Sequence, residues 1–269
     1  MKTVAHISDL HFGRHSDAAA EALLDSIAES RPDLVAISGD FTQRARTAEF
    51  AAARRFLDRI AQPKLLVPGN HDIPLYNIFN RFVRPLRHYD RHFAPLGLPL
   101  NLYRDDEIAV LGINTARNLT RKNGRISDVQ LQEATTIFAP LPESVLKIVM
   151  THHPLARPVP WPMHQLARRA VRAMSVLKQA GVRVLLSGHH HTALSGGNVE
   201  VDASNAVLVL HAGTAISTRT RGGEGNSYNL LKLDRNTARV RVLGLGAGRF
   251  RPIAGTDYAF DGHRWVRSV

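Results

Sequence analysis

Cysteine is absent from all 269 residues. That excludes disulfides and thiolate metal sites, so any bound metal must be held by nitrogen and oxygen ligands. Long apolar runs are missing too. No stretch approaches the roughly 20 residues a membrane-spanning helix needs, and residues 1–9 show neither the apolar region nor the small-residue cleavage pattern of a secretory leader. A cytoplasmic location is the expectation from these absences, with weak contact to a membrane surface left open. Acidic side chains are in short supply, 23 against 35 Lys and Arg, giving a net charge of +12. Such a surface attracts anions. Aromatic residues are only 6% of the chain and no block of consecutive basic residues occurs, which argues against a nucleic-acid partner and leaves a phosphate-bearing substrate or an anionic lipid surface.

What is present is the composition of a soluble globular protein, 44% hydrophobic and 22% charged. No internal repeat, low-complexity tract or linker appears, so residues 1–269 are expected to form a single domain with substrate-shaping excursions near 73–100 and 155–180. The first third alternates short β-branched runs with helical spacing. Strands are expected at 4–7, 34–37 and 65–67, with helices at 17–30 and 47–60 between them. Further strands are expected at 108–113, 147–150 and 182–186, and a helix opens at Ser127, a fitting N-cap. The spacing of Leu166, Ala170, Val171, Met174 and Leu177 predicts a basic amphipathic helix over 163–179 carrying Arg168, Arg169 and Arg172. Short strands follow at 207–210, 228–233 and 239–243. Repeated strand, loop and helix units imply an α/β fold with its site at the carboxyl ends of the strands.

Five of those strand ends carry groups that ligate metal. The set is Asp9-x-His11, Gly39-Asp40, Gly69-Asn70-His71, His152 and Gly188-His189-x-His191. Alone, any of these is commonplace, since Gly, Asn and Asp are what turns use. Together, and each just past an apolar strand, they form an oxygen and imidazole set suited to hard and borderline divalent cations.

In this pattern and order the sequence resembles the calcineurin-like metallophosphoesterases, and in layout the bacterial class III cyclic-nucleotide phosphodiesterases. The resemblance implies two mixed β-sheets packed face to face and flanked by helices, a four-layer α/β/β/α sandwich. It implies two divalent metal ions, Mn, Fe or Zn, with Asp9, His11 and His191 on one, Asn70, His152 and His189 on the other, and Asp40 bridging. His152 takes the role rather than His153 because the family histidine usually stands two residues before a proline, here Pro154. His190 falls at the variable position. Arg44 matches an arginine of related protein phosphatases, while Gln43 replaces the acid that precedes it there.

The implied reaction is phosphoester hydrolysis by attack of a metal-bridging hydroxide, since two cations about 3.5–4 Å apart stabilise both oxygens of an in-line displacement. His71, left without a metal, is expected to protonate the leaving group, with Asp72 or Asp9 orienting its ring. Arg117, Arg219 and Arg221 are the candidate substrate contacts, because guanidinium forks match phosphate oxygens. The leading reading is a phosphodiesterase on small diesters or nucleotides, with cyclic AMP a candidate. The alternatives are a pyrophosphohydrolase resembling the UDP-diacylglucosamine enzyme of lipid A synthesis, and a metal-binding scaffold without turnover.

Overall fold

A computed structural model describes residues 1–75, 78–118, 123–156, 166–189, 199–201, 206–219 and 225–268. The chain begins with β1 (Lys2–Ile7), α1 (Asp17–Ser30), β2 (Leu34–Ile37), α2 (Thr47–Asp58) and β3 (Lys64–Leu66). Two small helices follow, α3 (Ile78–Val83) and α4 (Arg87–Phe93), and then β4 (Leu102–Arg104) and β5 (Ile108–Gly112). Next come α5 (Asp128–Phe138), β6 (Leu146–Met150), α6 (Ala170–Gln179), β7 (Val182–Ser187), β8 (Val199–Val201) and β9 (Leu208–His211). Four strands end the chain: β10 (Ser227–Leu233), β11 (Thr237–Gly246), β12 (Arg249–Phe260) and β13 (Trp265–Arg267).

These strands form two mixed sheets, ordered β13-β12-β11-β10-β1-β2-β3 and β4-β5-β6-β7-β9-β8. The strands at the heart of each are parallel, β1 with β2 and β3, and β5 with β6, β7 and β9. Their near-continuous apolar runs follow from being covered on both faces. Val4, Leu34, Ala36 and Leu65 of the first sheet share one buried cluster with Ile108, Ile148, Val184 and Leu210 of the second. The alternate residues Ala5, Ile7, Val35 and Ile37 turn outward onto Leu23 and Ile27 of α1 and Phe50 and Phe56 of α2. On the far side, Ala109, Val149 and Leu185 meet Leu131 and Phe138 of α5 and Ala173 and Leu177 of α6. Helix, sheet, sheet, helix is therefore the layer order, as the resemblance implies.

Local signals held where they were strong. Ser16 caps α1 by accepting from Ala19 N, and Ser127 caps α5 by accepting from Gln130 N. The basic helix is shorter than its periodicity suggests. It starts at Ala170, because Arg169 takes φ 68°, outside the helical region. Residues 163–165 lie outside those described. Arg168 instead pairs in a parallel bridge with Arg125. Strands β10 and β11 are longer than expected while β9 keeps its expected length, and β12 and β13 lie outside the expected strands, their turn-rich, arginine-rich sequence carrying little alternation.

Candidate metal and catalytic site

Five loops converge where the parallel strands end. After β1 the backbone adopts left-handed φ at Asp9 (54°) and His11 (49°); after β2 it does so at Asp40 (54°), and after β7 at His189 (79°). Non-glycine residues seldom take these angles, and such strain concentrates at functional sites. Hydrogen bonds hold the loops together, from Asp9 N to Gly39 O (3.0 Å) and from His11 N to Asp40 O (2.9 Å). The packing is close enough that a Cβ on Gly69 would collide with Asp40 Oδ1 and one on Gly188 with Ser8 Oγ.

The side chains gather around Asp40. Its Oδ1 accepts from His71 N at 2.8 Å. Its Oδ2 lies 3.4 Å from His152 Nε2 and 3.8 Å from His11 Nε2, and accepts no hydrogen bond among the described residues. His152 Nε2 is also 3.2 Å from Asn70 Oδ1 and 3.2 Å from His189 Nδ1. His11 Nε2 stands 3.5 Å from Asp9 Oδ1. Among the described residues, three groupings have mutually close ligand atoms: Asp9, Asp40 and His152; His11, Asp40 and His71; and His152, His153 and His189. Asp9, His11, Asp40 and His152 are buried, whereas Asn70, His71 and His189 are partly open.

A second layer of groups aims these ligands. Asp9 Oδ2 accepts from Ser8 Oγ (2.6 Å) and His189 N (3.0 Å), which leaves Oδ1 toward His11. His152 Nδ1 faces Ser38 O at 2.7 Å, so that nitrogen carries the hydrogen and Nε2 is turned into the site. Burial works against charge on His152, but the Asp40 carboxylate outweighs it and raises the imidazole to about 9. Asp40 is likewise penalised by burial, yet His152, His71 and His11 together hold it well below the ordinary carboxylate range.

Asp72 does not orient His71. Its carboxylate accepts from Gly69 N (2.9 Å), Phe41 N (3.3 Å), Thr42 N (2.9 Å) and Thr42 Oγ1 (3.0 Å), so it ties two loops together. Burial, then the neighbouring Asp40, pushes it up to about 7. The group facing His71 is the main-chain carbonyl of Gln43, 2.8 Å from Nδ1. Sequence reasoning missed Ser8, Ser38 and Gln43 as supports, because two of them act through backbone oxygens that any residue possesses. It also passed over His153, which bonds Thr115 Oγ1 through Nδ1 (2.9 Å) and lies against the His189 ring.

The expected substrate contacts fare differently. Arg117 directs Nη1 to Asn114 O (3.0 Å) and Ala116 O (2.9 Å) and Nη2 to Gln130 Oε1, as a strut of its own loop. Arg219 stands beside the site, with Nη1 donating to Gln43 Oε1 at 3.3 Å. Arg169 and Arg172 pair with Asp128. His191 and Arg221 lie outside the described residues.

The family model for calcineurin-like phosphoesterases matches residues 2–193. Among curated proteins, the chain is 36% identical over 95 residues to the glycerophosphodiester phosphodiesterase GpdQ of Enterobacter lignolyticus, covering 31% of this chain and 33% of that protein. It is 28% identical over 81 residues to a probable cyclic nucleotide phosphodiesterase of Synechococcus, covering 27% of this chain and 32% of that one. The matches thus span about a third of the length of these relatives. Among solved structures, a dimetal phosphatase from Danio rerio superposes with TM-score 0.64 at 15% identity, over 94% of this chain and 98% of its own. A purple acid phosphatase from yellow lupin seeds gives TM-score 0.62 at 12% identity, over 97% of this chain and 54% of its own. At these identities the structural likeness speaks to the fold alone.

Proposed function

Since the chain belongs to the calcineurin-like phosphoesterase family, we propose that it is a metal-dependent phosphodiesterase whose strand-end loops hold two divalent cations. The observation that carries this reading is Asp40 Oδ2, a buried carboxylate oxygen between His11 Nε2 and His152 Nε2 that receives no hydrogen among the described residues. A buried anionic oxygen is costly unless positive charge meets it, which the flanking imidazoles supply in their protonated forms and which divalent cations would supply on displacing those protons. The donor set of carboxylate, amide and imidazole fits Mn, Fe or Zn. Asp9, His11 and His191 would hold one ion, Asn70, His152 and His189 the other, and Asp40 both. When bound, the pair supplies charge neutralisation for an anionic diester and a nucleophile available at neutral pH.

The remaining chemistry falls to the chain's own groups. His71 Nδ1 donates to the Gln43 carbonyl in either protonation state, so as the imidazolium the ring releases its Nε2 proton to the departing alkoxide and is left as the neutral Nδ1–H form. Burial of Asp9, His11 and Asp40 places their charges and dipoles in low-dielectric surroundings, where they act more strongly than in water. Small phosphodiesters are the proposed substrates, with cyclic AMP a candidate, in keeping with the phosphodiesterase names of both curated relatives. No helix among the described residues is long and apolar enough to cross a membrane, and the proposed setting is the cytoplasm.

The test is hydrolysis of bis(4-nitrophenyl) phosphate by protein loaded with Mn²⁺, with cyclic AMP, an aryl monoester and UDP-diacylglucosamine compared alongside. Asp40→Ala is expected to lower the diester rate by more than about a hundredfold, since it removes a group shared by both ions. A wild-type protein without turnover on any of the four compounds would mark a scaffold instead.

A further inference from the structure

The segment before Arg219 is strapped to the loop that carries Asp9 and His11. Thr214 Oγ1 donates to Asp9 O (2.7 Å), Ala215 N to Ser8 O (3.0 Å) and Thr218 N to Arg14 O (2.7 Å), while Ser16 N returns a bond to Ile216 O (2.9 Å). Arg219 N is fixed in turn by Ser217 Oγ at 3.1 Å. The arginine therefore projects from a backbone whose position is set by the metal-ligand loop itself.

Its guanidinium is held by a neutral group. Nη1 donates to Gln43 Oε1 at 3.3 Å, and the main-chain carbonyl of the same residue accepts from His71 Nδ1 at 2.8 Å. Several other arginines meet acids, as in Arg54 with Asp58, Arg59 with Glu21 and Arg241 with Asp257. Arg219 has no carboxylate within ion-pair distance among the described residues. An amide acceptor orients a guanidinium without cancelling its charge, so the cation remains available to a ligand.

The placement then indicates which part of a substrate it meets. Gln43 joins Arg219 to His71, the group that hands a proton to the departing alcohol, so the free charge stands on the leaving-group side. The phosphodiester anion itself belongs with the cations around Asp40. We propose that Arg219, aimed by Gln43, forms a subsite for a second oxyanion carried by the leaving alcohol. The substrate class is then a phosphodiester whose departing alcohol bears a carboxylate or a phosphate, which narrows the diesters considered above and sets cyclic AMP, with its single phosphate, outside the class. This rests on the phosphodiesterase reading above.

Binding of non-hydrolysable phosphinates to the Mn²⁺-loaded protein tests it without turnover. Both ester oxygens are replaced by carbon, and one arm carries a carboxamide, a carboxylate or a phosphate. Calorimetry at fixed ionic strength should show at least one charged probe binding about fivefold or more tightly than the carboxamide, and the better of the two identifies the oxyanion. Arg219→Gln should bring that ratio close to one, and Arg219→Lys should restore part of it. Equal binding of all three probes to the wild type, no measurable binding of any, or a ratio that survives Arg219→Gln would overturn the subsite. Turnover of bis(4-nitrophenyl) phosphate is read separately. Its absence counts against the phosphodiesterase reading, while the binding ratio still judges Arg219.

Discussion

Asp72 sits in the same turn as Asn70 and His71 and does different work. Three main-chain N–H groups and a hydroxyl point at its carboxylate in a site only 1% exposed. Asp72→Ala strands those donors away from water, and a loss of about 3 kcal/mol or more is expected in denaturant unfolding. Asp72→Asn, which keeps one acceptor oxygen, should cost clearly less. His71→Ala predicts the opposite profile, with near wild-type stability and retained metal. Its rate should fall by about 10²–10⁴ on diesters with poor leaving groups and far less on nitrophenyl esters. A uniform loss across leaving groups would count against the acid role. At this scale the sequence revealed ligand-type residues, because Asp, Asn and His past an apolar strand carry their chemistry in the side chain. It did not reveal that the Gln43 and Ser38 carbonyls aim two imidazoles, since backbone oxygens are chemically identical along the chain.

Among the elements, the parallel strands and α1, α2 and α5 were legible from apolar runs, helical spacing and caps. The strands β12 and β13 were not, because only Phe250, Tyr258 and Trp265 among their residues are buried. The start of α6 depends on one residue, Arg169, whose left-handed φ answers to the neighbouring Arg125 loop rather than to periodicity. Glycine placement offers a sharper test of element geometry. A Cβ at Gly188 lands on Ser8 Oγ, so the turn after β7 must shift and take His189 with it. Gly188→Ala should weaken Mn²⁺ binding by about tenfold or more in a calorimetric titration. Gly246→Ala, at the end of β11 with no atom within 4 Å of the new Cβ, should leave stability within about 0.5 kcal/mol of wild type.

At the scale of the whole molecule, the described residues include two buried histidines away from the ligand loops, His6 and His211, that hold no assigned metal. Burial, with the neighbouring His211, depresses His6 to about 3, and burial alone depresses His211 to about 4. Both rings stay neutral in the folded chain while an unfolded imidazole titrates near 6.5. The unfolded state therefore binds more protons below that pH. Stability present above about pH 6.5 should decline as the pH falls toward 4, by an amount on the order of a few kcal/mol for each ring. Urea unfolding at a series of pH values should show this slope, and His211→Asn should flatten it. The order of the first sheet has a consequence for how the chain is made. The opening strand β1 pairs on one side with β2 and on the other with β10, Lys2 lying opposite Leu233. During synthesis β1 emerges well before β10, so one of its hydrogen-bonding edges has no partner until residues 227–233 leave the ribosome. The segment 2–193 that carries the family signature is thus a nascent intermediate with an open strand edge, a state prone to association with other chains. A translation arrest placed at residue 193 should yield a protease-sensitive chain that turns resistant only when extension reaches the last strands.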